Sequence, residues 1–570
     1  MYFPQTTQKL NRNVHKLNDF LTTGLLTSRK TKNILHKKSI SDPTPTNISK
    51  FKTYRNLYNT LLKKSKLLYF HDKLQKNSKK TSKIWETFNE ITGKQPNKIK
   101  ISEINDNGTI LTEDIDIAQH FNSFFSKIGQ KISDSISKTE TDPLSLIKTD
   151  PNTPTLNFDE ITPTHVNDIL KQICPKKSVD IDGISNFLLK QLKDQISTPL
   201  AHIFNISLKK GVYPEKFKIS RVIPIYKSGD HLLADNYRPI SLISSIAKIL
   251  DKIVAIKFTN HLEINKLLYP FQFGFQKKAS TELNLLHMTN FIGSALNDNK
   301  YCIGIFLDLK KAFDVVSHKI LLKKLKHFGI TGTTWEWFKS YLSKRAQKVE
   351  INGQLSKLAD ITISVLQGSI LGPILFLCFI NDLPNISKLF LLLFADDTGC
   401  LAADSNLPNL IKFCNEELQK IANWMVANKL AINVNKCKFI IFHNRGKNID
   451  LGDLTVHINM NEIGKDPDPE KIIPLGRINS QDPNPENHTY KYLGILLDEN
   501  FSLNSHFEYI SKKLSKGLFC LNRAKNILPS KSLRSLYFAV FHPHLLYCSL
   551  ILGCTSNKNI LKILTLQKKQ

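Results

Sequence analysis

Leu389-Phe390-Leu391-Leu392-Leu393-Phe394-Ala395-Asp396-Asp397 is the stretch on which the reading of this chain turns. The run Leu389 to Leu393 reads as a buried strand, and two adjacent carboxylates follow it. Like charges so close repel, and each loses hydration. A divalent cation relieves both costs, since hard cations take carboxylate oxygens. A strand-turn-strand with Asp-Asp at its tip is one half of a two-metal site for phosphoryl transfer. The alternative is an exposed turn with solvated acids, and Phe394 to Asp397 alone does not separate the two.

The other half lies upstream. Tyr301-Cys302-Ile303-Gly304-Ile305-Phe306-Leu307 reads as a second buried strand, apolar and β-rich, and it ends at Asp308. If the two strands are neighbours, Asp308, Asp396 and Asp397 converge, and three such acids can hold two cations about 3.5–4 Å apart. Otherwise they are unrelated strand ends with solvated acids.

At 570 residues the chain suggests more than one domain, and its hydrophobic share of 41% is enough for real cores. A net charge of +30 favours a polyanionic partner through phosphate contacts and counterion release. A membrane surface is the rival partner. Against it, there is no basic amphipathic helix beside an aromatic anchor, and no apolar run of about 18 residues. The longest apolar stretch, Ile370 to Ile380, is interrupted by Gly372-Pro373. The first residues show no signal-peptide pattern. The nine cysteines are scattered without a Cys-x-x-Cys pair, which fits a reducing, intracellular setting. His542, His544, Cys548 and Cys554 have a spacing that could ligate zinc. Interleaved Phe541, Leu545, Leu546, Tyr547, Leu550 and Ile551 favour a buried helix there.

The positive charge is uneven. Residues 1–100 hold 22 Lys and Arg against 5 Asp and Glu, a balance of 22 − 5 = +17. Tyr54 through Phe88 reads as helical, with Lys63, Lys64, Lys66, Lys79 and Lys80 on polar faces and Tyr58, Tyr69, Phe70 and Trp85 as anchors. This favours a nucleic-acid-gripping extension over merely solvated helix faces. Residues 136–160 read as a linker. A helix is expected to start at Thr162-Pro163, a cap followed by proline at the first helical position, with Val166, Ile169, Leu170 and Ile173 as its stripe. Lys465 to His488, with Asp-Pro-Asp-Pro and Asp-Pro-Asn-Pro, is expected to be a loop, because proline at that density stops helix and strand.

With the three acids placed, the remaining blocks fall into a known order. Over about residues 170 to 555 the chain resembles the reverse transcriptases of non-LTR (LINE-type) retrotransposons, most of all the jockey-like group. Phe217 to Asp230 and Asn236-Tyr237-Arg238-Pro239-Ile240-Ser241-Leu242 are similar to the family's fingers blocks. They supply Arg221, Lys227 and Arg238, and the resemblance implies Lys227 and Arg238 as triphosphate contacts, Arg as a bidentate fork and Lys as a point charge. Gln272 to Thr281 resembles the template-contacting block, with Gln276 where relatives usually carry Arg. Phe313, five residues after Asp308, sits where the family keeps an aromatic ring that would clash with a 2′-hydroxyl. Its other reading is core filler. Ser364 to Pro373 resembles the glycine-rich block. There Gln367 is implied near the nascent base pair and Gly368 allows close backbone approach, while Leu366 replaces the usual proline. Trp424 to Phe442 resembles the next element, in which Lys436, with Lys438 as rival, would protonate pyrophosphate. Lys491-Tyr492-Leu493-Gly494-Ile495 resembles the primer-grip pair.

The expected fold is α+β: a right-hand polymerase of fingers, palm and thumb, with an antiparallel palm sheet and a basic helical N-terminal extension. The expected boundaries are 1–135 for the extension, 136–160 for a linker, 161–500 for fingers and palm (core 207–497), and 501–570 for thumb helices. The resemblance implies RNA-directed DNA polymerisation with two Mg²⁺ ions (Mn²⁺ as a substitute) on Asp308, Asp396 and Asp397. Its partners would be an RNA template, a DNA primer or target and dNTPs, with no membrane. It implies action in the nucleus and cytoplasm. The upstream endonuclease domain usual in complete elements is not visible and the C-terminal region is expected to be truncated, so the resemblance implies a polymerase fragment of an element or a gene model covering only part of one, with a separate endonuclease as a candidate partner. The rival readings are an inactive, retrotransposon-derived nucleic-acid-binding protein and an RNA-dependent RNA polymerase. Phe-Ala-Asp-Asp and Phe313 speak against the second.

Overall fold

Tyr301–Leu307 is the middle strand of a five-stranded sheet, and its two faces are buried by different means. The computed structural model describes residues 20–77, 81–92, 101–136, 141–147, 153–447, 449, 451–459, 472–525, 528, 530–553 and 557–568. The chain divides into two compact units, Ile99–Ser505, and Met1–Lys98 with His506–Gln570.

In the larger unit the central sheet runs Gly476–Ile478, Lys438–Phe442, Tyr301–Leu307, Asp397–Asp404, Phe390–Phe394. All neighbours are antiparallel except Lys438–Phe442 with Gly476–Ile478. Side chains alternate across a strand. Ile303, Ile305 and Leu307 therefore point together into the main core, where they join Leu391, Leu393 and the helices Gly372–Ile380 and Leu407–Ala427. On the opposite face Phe306 stacks on Tyr490 at 4.6 Å and meets Tyr492 at 4.9 Å, so the small hairpin Tyr490–Tyr492/Ile495–Leu497 covers it. That cover is close: a Cβ on Gly399 would lie 3.1 Å from the Tyr492 hydroxyl.

A second sheet runs Tyr237–Leu242, Ile219–Tyr226, Arg345–Ile351, Gln354–Leu355, with Ala359–Ile361 also on Arg345–Ile351. Helix Asp114–Asp134 packs on it, burying Phe121 and Phe125 with Val222 and Val349. The stretch 1–135 is thus divided: this helix belongs to the larger unit, where its apolar face meets a sheet. The helix at Pro163–Gln172 starts as its sequence requires. Thr162 Oγ1 accepts the N–H of His165, and His165 Nδ1 accepts that of Thr162.

The stretch Lys465 to His488 is only partly loop. Its Asp466-Pro467-Asp468-Pro469 lies outside the described residues. Ile472–Pro474 pairs with His457–Asn459, and Gly476–Ile478 joins the central sheet. Between the outer proline pairs only Pro474 lacks an N–H, and it stands at the end of its strand, where one missing ladder bond is tolerated.

The smaller unit is helical. Thr23–Ser41, Pro45–Lys76 and Thr81–Thr92 come from one end of the sequence, and Asn504–Ala524, Ser530–Val540, His542–Leu546, Ser549–Leu552 and Asn557–Lys568 from the other. Leu74 and Phe88 share a core with Ala524, Leu528 and Leu536. Tyr58 and Phe70 are buried, whereas Lys63 and Lys64 are exposed; Lys79 and Lys80 lie outside the described residues. The segment around His542 is not one buried helix. Cys548, at φ +57°, separates two short helices, and Leu546 and Leu550 are exposed. His542 packs against Phe538. Cys554 lies outside the described residues. Among the described residues no helix is long and apolar enough to cross a membrane.

Candidate active site

The hairpin Phe390–Phe394/Asp397–Asp404 turns through only Ala395 and Asp396. Ala395 has φ +58°, a left-handed conformation that non-glycine residues avoid. Register does the rest. Thr398 pairs with Leu307, so the next step along both strands sets Asp397 across from Asp308. A third segment fixes Asp308: Asn433 donates its amide Nδ2–H to Asp308 Oδ2 at 2.9 Å and its backbone N–H to Asp308 O at 2.8 Å.

Asp308, Asp396 and Asn433 line a cavity of about 790 Å³. Asp308 and Asp396 line it together with Lys227, Arg238, Phe313, Gln367 and Lys436, residues from separate stretches of sequence. Asp397 is not among the lining residues; its side chain keeps solvent contact while its carboxylate stays close enough to feel Asp396, Asp308 and Lys227. Burial pushes Asp396 above the ordinary carboxylate range, and the charge on Asp308 adds to it. Burial, then Asp396 and Asp308, push Asp397 up to about 6. Burial, then Arg238 and Lys436, push the Lys227 ammonium down. The cavity therefore has an acidic wall and a cationic wall, each repelling itself.

Phe313 is both packed and cavity-lining. Its ring stacks on buried Phe376 at 4.7 Å and meets Phe275 edge-on at 6.2 Å, while it still lines the cavity. Gln367 donates to the Asp314 carboxylate at 3.1 Å, and burial pushes Asp314 up to about 6. Gly368, at φ +104°, presses on the second sheet, where a Cβ would lie 2.8 Å from Ser241 O. Gly368 does not line the cavity, nor does Leu366, which is buried against Ile243 and Ile361.

Two sequence candidates lie elsewhere. Arg221 pairs with Glu350 at 3.2 Å and donates to Val179 O at 3.0 Å. Its strand neighbours draw it along the sheet rather than into the cavity. Lys438 extends over Gly476, leaving Lys436 as the lysine at the cavity. Gln276 folds back to donate to Gln272 O at 2.6 Å. The sequence reading did not assign Asn433, Asp314 or Tyr490. Tyr490 is close enough to Asp397 and Asp308 that their charges, after burial, push its phenol up. A polar residue just past Ile432, which bridges to Leu309, is a signal for Asn433 only once that pairing is known.

Among the described residues no group of three or more His, Cys, Asp or Glu side chains is drawn in tightly enough to hold a metal ion. The donor chemistry does fit a hard divalent cation. Asp308, Asp396 and Asp397 offer only carboxylate oxygen, they share one charge environment, and none forms an ion pair among the described residues.

Residues 225–497 match the family described as reverse transcriptase (RNA-dependent DNA polymerase). The chain is 28% identical over 426 residues to the RNA-directed DNA polymerase from mobile element jockey of Drosophila funebris, which covers 73% of this chain and 44% of that protein. It is 28% identical over 431 residues to the probable RNA-directed DNA polymerase from transposon BS of Drosophila melanogaster, covering 72% of this chain and 44% of that protein. With the transposon X-element polymerase of the same fly the identity is 26% over 424 residues, covering 71% of this chain and 43% of that protein. The chain spans less than half the length of these curated relatives. The segment 225–497 thus matches a reverse transcriptase domain, and the chain around it is similar to the polymerases of jockey-like non-LTR retrotransposons.

Proposed function

We propose that this chain is an RNA-directed DNA polymerase that adds dNTPs to a primer 3′-end on an RNA template. The observation that carries the reading is the cavity, which gathers Asp308 and Asp396 with Lys227, Arg238 and Lys436. In this reading the central sheet is the palm, the Ile219–Leu242 region the fingers, and the helices after Asn504 the thumb. Asp308, Asp396 and Asp397 would hold two Mg²⁺ ions, or Mn²⁺ in their place, which supply charge neutralisation and Lewis-acid activation when bound. The protein's own work is positioning. Asn433 holds the Asp308 carboxylate in orientation. Lys227 and Arg238 grip the triphosphate, Arg238 as a fork. Lys436 delivers a proton to the departing pyrophosphate. The Phe313 ring, held between Phe376 and Phe275, excludes a 2′-hydroxyl. The basic helices Thr23–Ser41 and Pro45–Lys76 hold nucleic acid through phosphate contacts. Action on RNA and chromosomal DNA in cytoplasm and nucleus, with a separate endonuclease, belongs to the same proposal.

The test is extension of an oligo(dT) primer on poly(rA) with Mg²⁺, beside Asp396→Asn. Metal-dependent dTTP incorporation by the wild type alone is expected. Near-normal extension by the variant would sink the assignment. Binding of the primer-template with no extension by a folded wild type would favour the inactive nucleic-acid-binding reading. The inward fold of Gln276, where relatives usually carry Arg, supports that rival. Preference for rNTPs would favour an RNA polymerase.

A further inference from the structure

Ala395 is a non-glycine residue in a left-handed conformation, and such strain persists where the surroundings over-determine it. What surrounds it comes from more than a hundred residues earlier in the chain. The Gln272 side-chain oxygen Oε1 accepts the Ala395 N–H at 2.9 Å and the Gly274 N–H at 2.9 Å. Gln272 itself is buried, with 4% of its surface exposed. Its backbone runs parallel to the strand that leads into the turn: Phe273 N–H donates to Leu393 O at 2.8 Å, and Leu393 N–H to Phe271 O at 3.0 Å. Gly274 closes the contact. A Cβ there would lie 2.3 Å from Ala395 N, so the backbone approaches as nearly as only glycine allows. Gln276 ties the far end back to Gln272 O.

We propose that Gln272, seated by Gly274, is a positioning residue that locks the Ala395 turn and thereby aims Asp396 and Asp397; this rests on the polymerase reading of the same carboxylates. Without its acceptor the Ala395 N–H would be buried unpaired, an unfavourable state for a backbone donor. The left-handed turn would then relax. Asp396 follows Ala395 directly and Asp397 opens the return strand, so relaxation of the turn moves both carboxylates relative to Asp308. A displacement of about 1 Å in such an arrangement can cost about 100-fold in rate.

Gln272→Met tests this, because methionine keeps the length and volume but not the acceptor. Gly274→Ala is the second variant, since its methyl forces Ala395 away. The measurements are the extension rate at saturating dTTP, the KM for dTTP, the Mg²⁺ concentration at half-maximal rate, the thermal midpoint, and Mn²⁺ affinity without substrate by electron paramagnetic resonance titration. The expected result is a rate lowered about 10- to 100-fold, a raised Mg²⁺ requirement, weakened Mn²⁺ binding and an unchanged KM for dTTP. Wild-type metal dependence and Mn²⁺ affinity in either folded variant would overturn the proposal. So would failure of both variants to fold, since the segment would then hold the fold rather than the turn. A wild type that binds Mn²⁺ through Asp396 but never extends a primer would instead overturn the polymerase reading. The Mn²⁺ titration of the variants would still decide whether the brace exists.

Discussion

The central sheet brings Asp308 and Asp396 to the cavity, the second sheet brings Lys227 and Arg238, and the two sheets are built differently. The strands that end in Asp308 and begin at Asp397 are buried along almost their whole length, from Cys302 to Leu307 and from Thr398 to Ala402. Ile219–Tyr226, which leads to Lys227, alternates, with Val222 buried and Ile223 and Ile225 exposed. The acids therefore stand on elements packed on both faces, and Lys227 and Arg238 on a sheet packed on one. A pair of metal ions demands fixed oxygen positions, whereas a flexible lysine follows a phosphate as a point charge. In the proposed polymerase, rigidity is placed where coordination would need it.

The widest gap between the two walls is expected in catalysis. Asp396→Asn should lower extension by roughly 1000-fold or more while primer-template binding persists, since one carboxylate of the metal set is lost. If Lys227→Ala were equally severe in rate at saturating dTTP, the division into a coordinating wall and a gripping wall would fail.

Stability should divide the same way. Leu391 is fully buried in the main core, and Leu391→Ala is expected to cost about 2–5 kcal/mol by urea unfolding. Ile225 is 50% exposed, and Ile225→Ala should stay within about 0.5 kcal/mol. Similar losses at both positions would show that the second sheet is as tightly built as the first.

Substrate grip comes next. Lys227→Ala is expected to raise the KM for dTTP about 10- to 100-fold, the worth of one charged hydrogen bond of about 1.5–3 kcal/mol. The rate at saturation should change less, because the acidic wall is untouched. A lowered saturating rate with an unchanged KM would place Lys227 in the chemistry instead.

What could be read from sequence were features with a local signature. The apolar runs before Asp308 and Asp396 give two buried strands, and Thr162-Pro163 gives a helix start, because period, cap and proline act within a few residues. What could not be read is set by partners distant in the chain. Asn433 is one polar residue among several until Leu309 bridges to Ile432 and brings it to Asp308. Gln272 belongs to a block whose resemblance concerns the template, and its bonds to the Ala395 turn cross more than a hundred residues. The helices at 23–92 and 506–568 share a core that links opposite ends of the sequence. No local pattern carries that pairing.

Arg221 gives the smallest effect and the sharpest test of where the cationic wall ends. Its sequence context, in the same block as Lys227, makes it a triphosphate candidate. Its guanidinium is instead taken by Glu350 and by the carbonyl of Val179. The pair is only partly buried, with side chains 20% and 26% exposed, so solvent screens it and its worth is about 1 kcal/mol or less. Arg221→Ala should therefore lower the urea midpoint slightly and leave the KM for dTTP and the extension rate unchanged. Its effect should largely vanish in a Glu350→Ala background, as for two residues in one ion pair. A rise in KM comparable to that of Lys227→Ala would move Arg221 into the cavity. It would also show that the second sheet shifts toward the carboxylates when nucleotide binds, which its one-sided packing would permit.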